Sequence, residues 1–94
     1  MAHHRSAIKR AKQIEKRRIR NRFYRTRVKN TIKKVRQAIA SNSLAEAEKA
    51  LQQAVSIISR AASKGVLHWR NASRKISRLS KQVYLLKRTT QPNV

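Results

Sequence analysis

One glycine (Gly65) and one proline (Pro92) stand in 94 residues. Almost nothing between the termini interrupts a helix, and no stretch alternates apolar and polar residues as a half-buried strand would. The chain is expected to be all-α. Two points of punctuation divide it: the polar stretch Ala40-Ser41-Asn42-Ser43, and Lys64-Gly65, where glycine suits the left-handed residue just past a helix end. Three helices result, the second beginning at Leu44 and the third running from about Leu67 to Arg88. Ser43 precedes Glu46 at capping-box spacing, and Glu46 and Glu48 fall where the helix dipole favours negative charge. Residues 89 to 94 have no apolar periodicity and read as a flexible tail.

Steps of about 100° per residue place Leu44, Ala47, Leu51, Ala54, Val55, Ile58 and Ala62 on one stripe of the second helix, the expected spine of a bundle. In the third, Ala72, Ile76, Leu79, Val83 and Leu86 share a face, while Arg70, Arg74, Arg78 and Lys81 gather opposite. The first helix follows two rules. Tyr24, Val28, Ile32, Val35 and Ile39 form a core stripe, but Ile8, Ile19 and Phe23 fall on another side, and Arg17 and Asn21 stand where the stripe would continue. The expected architecture is therefore a three-helix bundle over residues 24 to 88. A basic arm, residues 1 to 23, forms the first half of helix one, and its stretch from Ser6 to Phe23 projects beyond the bundle by roughly 25 Å at 1.5 Å per residue. A helix charged on every side has little packing to support it, so the arm is expected to fray when free and to order on a polyanion.

Twenty-five Lys and Arg face three acids, a net charge of +22. Residues 1 to 36 carry +14, residues 37 to 59 carry −1 and residues 60 to 94 carry +9, so two basic segments flank a nearly neutral one. Charge crowding of this size repels itself unless a partner supplies the opposite sign, and nucleic acid is the obvious partner. Lys9, Arg10, Lys12, Lys16, Arg17, Arg18, Arg20, Arg22, Arg25 and Arg27 point every way around the arm. Such a helix suits insertion between several phosphate backbones, as in folded RNA, better than one face of a duplex. Ser6, Ser73 and Ser77 can bond phosphate oxygens, although each can equally bond its own backbone or water.

The same composition excludes other classes. There is no cysteine, so neither disulfides nor Cys-based zinc sites reinforce the fold. His3 and His4 lack further ligands and read as a solvated terminus rather than a metal site. The three acids, two of them spaced to meet Arg18 and Lys49 on a helix surface, form no catalytic set. With no thiol or Gly-rich phosphate loop, an enzyme is not expected. Apolar runs are too short for a membrane-spanning helix, and no signal-peptide core follows the start, so a soluble intracellular protein without cofactor or metal is expected. A histone-like nucleoid DNA-binding protein is the alternative the charge allows, but no β-ribbon, minor-groove wedge or dimer seam is visible. Nor does the arm have the apolar moment of a membrane-active helix.

Two ordered blocks carry a resemblance over residues 5 to 88. The first is Ser6-Ala7-Ile8-Lys9-Arg10, followed by Glu15-Lys16-Arg17-Arg18 and Lys33-Lys34. The second is Lys64-Gly65-Val66-Leu67-His68, leading into Asn71-Ala72-Ser73-Arg74-Lys75 and Ser77-Arg78-Leu79. In these the chain resembles the family of bacterial-type small ribosomal subunit protein number twenty. The resemblance implies a structural constituent that binds the 5′ domain of 16S ribosomal RNA and touches the long helix near the base of the subunit. It also implies other small-subunit components as partners, with no membrane and no homo-oligomer. The first block would supply the inserted arm, and the second the turn and the start of helix three. A cytoplasmic ribosome is implied, with a plastid one left open; the absence of a transit segment favours the bacterial case.

The chain departs from the family pattern at His3-His4 and at Trp69. Trp69 borders the core stripe and is expected to pack at the bundle edge, with stacking on an exposed base as the alternative. His68 is expected to make a capping or loop hydrogen bond, with a phosphate contact as the second possibility. Tyr24 has the core angle. Phe23 either covers a side of the bundle or meets RNA.

Overall fold

The computed structural model describes the backbone of residues 2–90 and the side chains of residues 4–90. It contains α1 (Ala2–Ala40), α2 (Leu44–Ser63) and α3 (Trp69–Thr90), an all-α arrangement with α2 packed between the other two; α1 and α3 touch little. The radius of gyration is 18.6 Å, against roughly 12 Å for a compact chain of this length. The excess comes from α1, whose 39 residues extend for roughly 58 Å, nearly twice the length of α2.

Both interhelical turns are built by the same device. Asn42 (φ 57°) follows α1 and Gly65 (φ 76°) follows α2, each in the left-handed region. At the first turn the N–H of Asn42 donates to the Ile39 carbonyl (3.0 Å) and that of Ser43 to Ala38 (3.1 Å); at the second, Gly65 donates to Ala62 (3.0 Å) and Val66 to Ala61 (2.9 Å). This is the Schellman pattern, in which the last carbonyls of a helix are satisfied by the chain turning back over them. Val66 completes the second turn by burying its side chain (8% exposed) beside Ala61.

That turn chemistry accounts for two corrections. Ser43 caps α2 by position, but its side chain makes no capping bond, so the expected capping box with Glu46 does not form. A capping box needs the amide of the cap residue to be free, and here Ser43 has committed it to Ala38. In addition, α3 begins at Trp69 rather than Leu67: the chain is still turning back at Val66 and Leu67, whose amides donate to the Ala61 carbonyl, and the carbonyl of His68 accepts the opening bond of the helix from the Ala72 amide. At the other end the helix includes Thr89 and Thr90, whose hydroxyls donate to the carbonyls of Leu85 (2.8 Å) and Leu86 (3.0 Å). Residues 91 to 94 of the expected tail lie outside the described residues, as does the side chain of His3.

The core is centred on small residues. Ala47, Ala54 and Ala61, at a spacing of seven, are fully buried together with Ile58 and Val35, while Leu44, Leu51, Val55 and Ala62 are half-buried at the margin. On α1 the buried arc takes in Thr31 and Ala38 beside Val28 and Val35, and Tyr24, Ile32 and Ile39 pack at its edge. In both helices the arc is rotated by roughly 40–60° from the stripe of largest hydrophobes. The reason is close approach: small side chains let helix axes come together, and larger ones then close the seam from the sides. On α3 the expected face holds, with Ala72, Leu79, Val83 and Leu86 buried and Ile76 half-buried.

α1 loses its neighbours where its sequence stripe stops. Every described side chain from His4 to Arg20 is exposed; Asn21 and Tyr24 are the first that are half-buried. Arg20 is also the first residue with a hydrogen bond to another helix turn, donating from Nη2 to the Lys64 carbonyl at 3.4 Å.

Candidate nucleic-acid interface

Cationic side chains are presented on three surfaces, each set by a different part of the fold. The first is the arm. Ser6, Lys9, Arg10, Lys12, Lys16, Arg17, Arg18, Arg20 and Arg22 are all exposed and distributed around the full circumference of α1. With no second helix alongside, no side of this segment is hidden from a ligand. Like charges four residues apart, such as Lys12 with Lys16 and Arg18 with Arg22, each oppose the free helix by roughly 0.2–0.5 kcal/mol. A surrounding polyanion removes that opposition. A furrow of about 540 Å³ runs beside Ile14, Arg17, Arg18, Asn21, Arg22, Arg25 and Thr26. Asn21 lines it, and the Asn21 Oδ1 is buried with no hydrogen-bond partner.

The second surface is a groove of about 730 Å³ between α1 and the start of α3. Val28, Ile32, Ala40 and Leu67 give it apolar walls, and Arg25, Lys29, Lys33, Arg36 and Lys75 bring five cations to it without an acid. Three of the five were foreseen from sequence. Lys29 and Arg36 were not, although they share one side of α1 with Arg25 and Lys33 at spacings of four and eleven residues from Arg25.

The third surface is the outer side of α3. Asn71, Ser73, Arg74, Ser77, Arg78 and Lys81 are exposed there, and Lys75 is half-buried at the groove. Lys33 and Lys34, adjacent in sequence, part company. Lys33 faces the groove, whereas Lys34 lines a separate depression between α1 and α2 that also contains Glu46. Arg27 is set apart as well, its guanidinium 5.6 Å above the Phe23 ring.

Around the α2–α3 turn, Lys64 is exposed and its carbonyl receives Arg20. His68 caps α3: its carbonyl accepts from the Ala72 amide (3.0 Å), and its Nδ1 accepts from the Arg70 amide (3.2 Å). Nδ1 is therefore unprotonated in this arrangement, and Nε2 is the edge available to a ligand. Trp69 does not pack at the bundle edge as expected. It is 64% exposed, with the His68 ring stacked on it (centroids 5.7 Å, planes 28° apart) and Arg70 5.3 Å over the indole. Phe23 is 56% exposed, edge-on to the half-buried Tyr24 at 5.6 Å.

Among the described residues no three His, Cys, Asp or Glu side chains gather in a group able to hold a metal, and no helix is long and apolar enough to cross a membrane. What the three surfaces share is a dense set of cationic donors, guanidinium and ammonium together, that suits phosphate oxygens.

Comparison with known proteins agrees over nearly the whole chain. The family model described as ribosomal protein S20 matches residues 2–84. The small ribosomal subunit protein bS20 of Syntrophobacter fumaroxidans is 56% identical over 86 residues, covering 92% of this chain and 100% of that protein. That of Oleidesulfovibrio alaskensis is 55% identical over 83 residues (88% and 95%), and that of Geotalea uraniireducens 54% over 86 residues (92% and 99%).

Proposed function

The chain belongs to the ribosomal protein S20 family, and from that premise we propose that it binds 16S ribosomal RNA directly and stabilises its folded form. Its role in the small subunit is structural, not enzymatic. The observation that carries the RNA reading is the unaccompanied half of α1, exposed from His4 to Arg20 with cations on every side. A bundle without such an arm could lie on an RNA surface. With it, the protein reaches between backbones that repel one another and neutralises several at once.

In this reading the arm enters the 5′ domain while the α1–α3 groove and the outer side of α3 hold neighbouring backbone, including the long helix near the base of the subunit. The contacting residues are the exposed cations and hydroxyls of the three surfaces, together with Lys64 and the Nε2 edge of His68. The site of action is the ribosome in a bacterial cytoplasm.

The test is binding to a 5′-domain transcript in competition with excess duplex DNA and unrelated structured RNA at two salt concentrations. Specific binding keeps a strong preference for the ribosomal RNA at the higher salt. Equal competition and loss of all binding with salt would reduce the protein to a nonspecific polycation.

A further inference from the structure

Phe23 and Trp69 combine two properties: each is more than half exposed, and each has an arginine over its ring, Arg27 at 5.6 Å and Arg70 at 5.3 Å. Both belong to one end of the bundle, where Arg20 reaches the Lys64 carbonyl. Phe23 is one turn along α1 from Arg20, and Trp69 opens α3 five residues after Lys64. Even with His68 and Arg70 against it, Trp69 is 64% exposed.

The surroundings select the occupant. An apolar protein surface laid over these rings would have to desolvate Arg20, Arg27, Lys64 and Arg70 with no counter-charge. A regular RNA duplex supplies the charge but keeps its base faces stacked on one another. An unpaired nucleotide supplies both a phosphate and a free planar face, and bases stack on aromatic rings and on guanidinium planes alike.

We propose that Trp69, with Phe23 as a second platform, stacks on unpaired bases at the root of the arm. The arm and groove then neutralise backbone irrespective of sequence, while these two rings require the RNA to present single-stranded nucleotides at one defined place. The proposal rests on the ribosomal RNA reading above and adds to it a site for unstacked bases.

Trp69 is the single tryptophan, so its emission reports on this site alone. The intact protein is titrated with the 5′-domain transcript and with a fully paired RNA duplex of similar length, at a salt concentration where both bind. Affinity is read from the anisotropy of labelled RNA. The expected result is strong quenching of Trp69 on the transcript and almost none on the duplex. Trp69→Ala should weaken binding to the transcript by roughly 5- to 150-fold, the equivalent of one base–aromatic stack, leaving the salt slope unchanged because no cation is lost. Trp69→Phe should retain most of the affinity, and Phe23→Ala should show a loss of the same kind. Circular dichroism of each variant confirms that the fold is intact.

Full affinity for the transcript with unquenched emission and an unaffected Trp69→Ala variant would overturn the stacking site while leaving ribosomal RNA binding in place. A shift of Trp69 emission only on adding other small-subunit proteins would assign the ring to a protein neighbour and overturn it equally. Loss of preference for the transcript in the anisotropy measurement, whatever Trp69 does, would instead sink the underlying RNA reading.

Discussion

The Arg20 guanidinium donates to the Lys64 carbonyl across 44 residues of sequence, tying α1 to the α2–α3 turn at the level where the bundle ends. The described residues before it make no such tie, so the arm and the bundle are separable in energy. Deleting residues 1–19 should leave thermal melting of the bundle within a few degrees of the intact protein. The same deletion removes seven cations and should flatten the salt dependence of ribosomal RNA binding by as much as about 5 in log–log slope.

The two left-handed turn residues should respond oppositely to substitution. A Cβ on Gly65 would meet no atom within 4 Å, so Gly65→Ala suffers only the backbone strain of a positive φ, about 1 kcal/mol. Asn42→Gly relieves that strain and should be neutral or stabilising by a few tenths of a kcal/mol. Urea denaturation of the three proteins measures both.

Core substitutions should sort by position in the seam rather than by size. Ile58 is fully buried, and Ile58→Ala should cost about 2–5 kcal/mol. Leu51 is only half-buried, and its truncation should fall below that range. Ala54→Leu adds bulk where α2 is enclosed and should cost about 1–3 kcal/mol through overpacking. Thermal or urea unfolding ranks all three.

His68→Ala withdraws the acceptor from the Arg70 amide and should destabilise by about 0.5–2 kcal/mol, the usual loss of a helix cap. His68→Asn or His68→Asp should restore most of it. A stability loss that Asn does not rescue would mean that the imidazole contributes through its stacking on Trp69 instead.

Lys29→Glu and Arg36→Glu place negative charge in the α1–α3 groove and should each weaken ribosomal RNA binding clearly more than Lys34→Glu, whose side chain shares its depression with Glu46. Equal effects in a filter-binding assay would show that only net charge matters.

The helices, their breaks and most of the exposed cations were legible because each depends on residues close in sequence: the punctuation at Asn42 and Gly65, the 3.6-residue stripes, and the loss of the stripe before Tyr24. What escaped were features that depend on where a second helix sits. The weight of Ala47, Ala54 and Ala61 appears only when α2 is enclosed between two neighbours. The separation of Lys33 from Lys34 follows from which helix lies on each side of α1. The Ser43–Glu46 spacing misled because the competing use of the Ser43 amide belongs to the preceding helix, and Trp69 misled because α3 starts two residues later than its apolar pattern suggests.

The bare half of α1 also has a bearing on copies of the protein that are still waiting for RNA. A helix without tertiary contacts opens locally at almost no cost in free energy, and this one carries a Lys or Arg in nearly every turn. A trypsin-like protease can therefore clip an unassembled chain while the bundle stays folded. In the proposed complex RNA around the arm would shield the same bonds, so proteolytic lifetime would become a measure of whether a given molecule has found its place.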